Sequence, residues 1–193
     1  MYNWQQAIGK ILPVANCLLK LALSSFTRSF GAIKINRMDA TLYNALLHAH
    51  SIGRWIVLVL LLFAIVNSLL AGRRPFIRSD NRLGLLLTIF SDLMLVIGIA
   101  LYVFGPRGYK VFEAYGNNMG AVMKDSAARF YGVEHIAGML IAIVLIHIGK
   151  AQARKPIGDR AKHRRTMLFY LLALLIILVS IPWPFRAVAG HWY

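Results

Sequence analysis

Acidic residues are scarce in this chain of 193 residues: seven Asp and Glu stand against 22 Lys and Arg, and charged residues reach only 15%. A soluble domain carries about 25% charged residues, so too few are present to cover a globule in water. Cysteine is nearly absent, and a lone Cys17 excludes a disulfide scaffold. HExxH, CxxC, a glycine-rich phosphate loop and a serine–histidine elbow are all missing. Hydrolase and nucleotide chemistry are therefore without support. What is abundant is apolar: 59% of residues are hydrophobic and the mean hydropathy is +0.61, which excludes disorder. A net charge of +15 would suggest nucleic acid in a soluble protein. In an apolar chain it marks loops held on the cytoplasmic side of a membrane. The sequence reads as an integral membrane protein whose first partner is the lipid bilayer, with no nucleic-acid partner.

A spanning helix needs about 20 predominantly apolar residues. Four segments qualify, predicting helices over Thr41–Ala71, Leu83–Phe104, Ala128–Gly149 and Arg165–Ile181. Breakers separate them at Gly72 to Pro75, Gly105-Pro106, Gly149 with Pro156, and Pro182-Trp183-Pro184. The expected fold is all-α, an integral membrane four-helix bundle running up-down-up-down. Trp55, Tyr102, Phe104, Tyr131, Trp183 and Trp192 sit at run ends, as an aromatic belt does. Lys and Arg resist translocation, and they crowd the first connector (Arg73, Arg74, Arg78, Arg82) and the third (seven between 150 and 165). Both connectors are expected inside a bacterial inner membrane, with the long middle loop outside.

Residues 1–37 carry Lys10, Lys20, Arg28, Lys34 and Arg37 with no acid. Pro13 and Lys20 interrupt the apolar stretch, unlike the core of a signal peptide. Two expectations follow: a basic amphipathic surface-lying extension, or a native start at Met38. Residues 38–193 then form the four-helix transmembrane domain.

Histidines mark the membrane edges. His48 and His50 precede the first apolar run, and His135 opens the third, which points the same way. At about 100° per residue His48 and His50 diverge by roughly 200°, so only one faces the interior. His50 is preferred because Arg54 follows four residues on, along the same face. Two imidazoles at matching depth on different helices can ligate one haem iron, and an arginine nearby can hold a propionate. The plainer alternative pairs Arg54 with Glu134 and leaves the histidines in the wet interface. His147 and His163 share the opposite edge, but His163 stands in AKHRR, read as a solvated basic patch. A second haem is not expected there. Asp92 falls near the middle of the second span, where a carboxylate is costly. It is either a protonated group bonded to a neighbouring helix or part of a proton relay.

Three stretches carry a resemblance: LLHAHSIGRWIVLVLLLFAI, RFYGVEHIAGMLIAIVLIHIGKA and KHRRTMLFYLLALLIILVSIPWPFR. Together they resemble small four-span proteins of Bacteroidetes-type bacteria labelled cytochrome b or b-type-cytochrome-like, over Met38 to Tyr193. The resemblance implies His50, His135 and His163 as motif histidines, with His147 at a more variable position. This chain departs from it at Asp92, where the family pattern places a histidine. The leading expectation is one-electron transfer through a bis-histidine haem b on His50 and His135, without bond-making catalysis. A respiratory complex or a quinone would be the redox partner. A haem-free subunit or assembly protein of a larger complex is the rival, and a small proton-coupled transporter is a third.

Overall fold

The computed structural model describes residues 39–188, so the basic extension at 1–37, His191 and Trp192 lie outside the described residues. Four long helices dominate: α1 (Ala40–Leu70), α2 (Arg78–Phe104), α6 (His135–Ala151) and α7 (Asp159–Ser180). Between α2 and α6 run three short helices, α3 (Lys110–Ala114), α4 (Met119–Lys124) and α5 (Ser126–Arg129), then a π-helical turn, Phe130–Glu134. There is no strand among the described residues.

All four long segments are long and apolar enough to cross a membrane, the third as Ser126–Arg154. The chain is thus an all-α, multi-pass membrane protein. At 1.5 Å per residue the 31 residues of α1 run ~46 Å, beyond a ~30 Å hydrocarbon core.

The helices close a ring in which α1 packs on α2, α2 on α6, α6 on α7 and α7 on α1. Leu61, Leu87, Ala142, Ile146 and Ala173, all fully buried, form the central layer. Bulky apolar residues such as Val59, Phe63, Val96, Val144 and Val179 point outward, which is stable only away from water. Small residues let the backbones approach. A Cβ on Gly149 would stand 2.6 Å from the Tyr170 ring, and one on Gly138 would stand 2.1 Å from Ser180 Oγ.

Contacts at the two ends establish the alternating direction. Asn67 late in α1 donates to Asp80 early in α2, and Lys150 late in α6 donates to the Asn81 carbonyl. At the other end, His50 early in α1 meets His135 at the start of α6, and Ser180 closing α7 bonds that same histidine. The bundle is up-down-up-down, and both strongly basic connectors share one end.

That basic end is clasped by Asp80. Its carboxylate takes Arg74 at two points, each 2.7 Å, Asn67 Nδ2 at 2.7 Å and the Ile77 amide at 2.9 Å. The last bond caps α2, so the helix begins at Arg78, five residues before the apolar run. Gly72 adopts a left-handed φ of +59° in the connector, a conformation that disfavours any side chain.

His163 corrects an expectation. It is 2% exposed rather than solvated, 3.9 Å from Asp80 Oδ2, with the Phe76 ring at 4.9 Å. The reason is helical phase. α7 begins at Asp159, so the polar AKHRR turns follow the period of Thr166, Tyr170, Ala173 and Ile177, the buried stripe.

Candidate functional site

His50 stands in the third turn of α1 and His135 at the first position of α6, diagonally across the ring. Their ring centroids are 6.3 Å apart, with planes inclined by 70°. Both line one cavity of about 230 Å³ in the half of the bundle away from the basic connectors. His48 is exposed, as the helical phase requires once His50 turns inward.

The local sequence explains how His135 is aimed. The π turn at Phe130–Glu134 widens the chain by one residue immediately before it, which resets the phase of α6 relative to α5. Pro182 supplies the other half. A residue before proline is driven out of the helical region, and Ile181 is extended at φ −84°, ψ 136°. The last carbonyls of α7 are thereby left without helical donors, and side chains take them. Trp183 Nε1 donates to Leu178 at 2.7 Å, Arg186 donates to Val179 at 2.7 Å, and His135 Nδ1 lies 2.8 Å from the Ser180 oxygen. A carbonyl only accepts, so Nδ1 carries the proton and the Nε2 lone pair is left available.

His50 is placed differently. Its Cε1 rests against α2 where Gly98 has no side chain; a Cβ there would lie 3.4 Å away. Its Nδ1 is buried and has no hydrogen-bond partner. A buried ring nitrogen without a partner is costly and calls for an occupant.

Arg54 lines the same cavity one turn beyond His50, with its guanidinium 5.6 Å from the Trp55 ring centre. Arg107, on the loop after α2, lines it too and lies over the Tyr131 ring at 5.6 Å. Among the described residues no acid lines this cavity, whose remaining wall includes Ser91, Met94, Ile146 and Ile177. Sequence reasoning passed over Arg107. Its only signal was a position beside the helix-ending Gly105-Pro106, which returns the loop over the bundle mouth.

The other candidates lie elsewhere. Glu134 forms its ion pair with Arg129 at 2.7 Å on the surface, not with Arg54 as the plainer reading expected. Asp92 meets His147 Nε2 at 3.4 Å on the outer face of α2 and α6, both half-exposed. His147 and His163 are not brought together. Among the described residues no group of three or more His, Cys, Asp or Glu is placed to hold a metal ion.

Comparison with family models, with curated proteins and with solved structures gives no match. The likeness to b-type-cytochrome proteins therefore rests on the quoted motifs alone.

Proposed function

We propose that the chain is a b-type-cytochrome-like protein that holds one haem b between His50 and His135 and passes single electrons. The observation carrying this reading is the meeting of two imidazoles from diagonal helices inside one apolar cavity. At 6.3 Å between ring centres the two imidazoles are near enough to serve one bound group. The rest of the lining agrees in kind: apolar walls suit a macrocycle, and two arginine side chains suit two propionates.

His50 and His135 would hold the haem, which would supply a one-electron couple. The chain's own residues do the remainder. His135 is fixed in tautomer and direction by the Ser180 carbonyl, and Arg54 and Arg107 bind carboxylates while offsetting their charge. The apolar walls exclude water, which sets the potential. A quinone or a respiratory complex in a bacterial inner membrane is the matching partner class, with the basic connectors on the cytoplasmic side.

A haem-free helical subunit is the second reading. The cavity volume favours it, because about 230 Å³ is less than the ~300–1,000 Å³ of ordinary ligand sites. Seating a macrocycle requires the helices to part. Dithionite reduction of membranes containing the protein separates the two: a b-type α-band supports the haem, and its absence from correctly inserted protein supports the haem-free subunit. Orientation is tested with Tyr109→Cys and Arg73→Cys in a Cys17→Ser chain. An impermeant thiol reagent on intact spheroplasts should label residue 109 and spare residue 73.

A further inference from the structure

Asp92 and His147 are not used by the cavity. His147 turns Nδ1 to the Ile143 carbonyl at 2.9 Å and Nε2 to Asp92 Oδ1 at 3.4 Å. The side chains are 49% and 47% exposed. Around them on the same outward face are Leu85, Ile89, Val96 and Ile99 of α2 and Leu140 and Val144 of α6, all exposed. The most apolar stretch of α2 is 17% buried, the least of the four spans. Asp92 is midway between Arg82 and Tyr102, so its carboxylate lies deep in the hydrocarbon, and His147 reaches it from nearer the basic end. Ionisable residues at that depth almost always face protein or a water-filled space. Exposed Val59 and Phe63 of α1 and Leu175 of α7 are apolar, and lipid covers them.

We propose that the α2–α6 face is where two copies of this chain pair, about a two-fold axis along the membrane normal. Such an axis sets α2 of one copy against α6 of the other without changing depth. Each Asp92 carboxylate then meets the second copy's imidazole. An acid beside a base is self-complementary under this rotation, as an isologous contact requires. A lone acid on the face would meet only its like. The charge pattern thus selects a second copy over an unrelated apolar helix, which offers the half-exposed Asp92–His147 pair no polar group beyond the pair itself.

The test uses the full chain in native membranes, with Cys17→Ser and single cysteines at Val96, Val144, Val59 or Leu175. A flexible bis-maleimide should give a band at twice the 21.7 kDa chain from positions 96 and 144, and monomer from 59 and 175. Monomer at all four positions, equal dimer at all four, or a product of another mass from 96 would overturn the proposal; the last would mean a different protein covers the face. Adding Asp92→Leu with His147→Leu should lower the dimer band at least tenfold while insertion is kept. An unchanged band would refute the role of the pair. Should that variant fail to insert, Val96→Trp in an Ile89→Cys chain adds bulk without touching the pair and should lower the band likewise; an unchanged band there overturns the interface.

Discussion

His135 donates through Nδ1 to the Ser180 carbonyl at 2.8 Å, a bond that joins the start of α6 to the end of α7. The close approach needs Gly138, one turn along α6, where a Cβ would come within 2.1 Å of Ser180 Oγ and 3.0 Å of its Cβ. Most of the conflict is therefore with one hydroxyl, and it is separable.

Gly138→Ala should destabilise the protein by about 1–2 kcal/mol through overpacking. Ser180→Ala in the same chain should restore most of the loss, since only a contact needing a few tenths of an ångström remains. Thermal unfolding in detergent, followed by helical circular dichroism, measures both. Failure of the second substitution to rescue the first would place the strain elsewhere.

The Asp80 clasp should carry much of the stability of the basic end. Asp80→Ala leaves Arg74, Asn67 and the Ile77 amide without their acceptor, a loss of about 3 kcal/mol for a buried charge pair. Arg74 is one-third exposed, so Arg74→Ala should cost only about 1 kcal/mol. The same unfolding assay ranks the two. An Asp80→Ala protein as stable as the parent would contradict the clasp.

Asp125 caps α5 by accepting from the Ala128 amide at 2.7 Å. That bond is the main reason its carboxyl titrates below the ordinary 3.8, with Tyr115, Ala127 and Arg129 adding to it. A depressed folded-state value means the cap stabilises at neutral pH and is lost only as pH falls through that lower value. The Ala128 amide shift, followed by NMR against pH, should show a midpoint under 3.8. Asp125→Asn should remove the titration. A midpoint at or above the ordinary value would show that the cap does not persist in solution.

Much of this arrangement was legible in the sequence because lipid imposes a simple rule of length and apolarity. The four spans and their alternation follow from it. The helix starts at Arg78 and Asp159 were not legible, because polar first turns read as connector until a capping carboxylate or the buried stripe is seen. His163 was misplaced for that same reason. The meeting of His50 and His135 was readable from matched depth and the turn linking His50 to Arg54. The π turn that sets the phase of His135 has no signature in residue type. Arg107 was hidden because loops carry no periodicity to show which way they fold back.

The central claim is that one haem is held by His50 and His135. Its most direct test is the dithionite-reduced spectrum of four chains that insert equally: the parent, His50→Ala, His135→Ala and His147→Ala. The parent and His147→Ala should show the same b-type α-band, and each of the other two should lose it entirely. An α-band that survives both His50→Ala and His135→Ala, or none in the parent, would contradict the account.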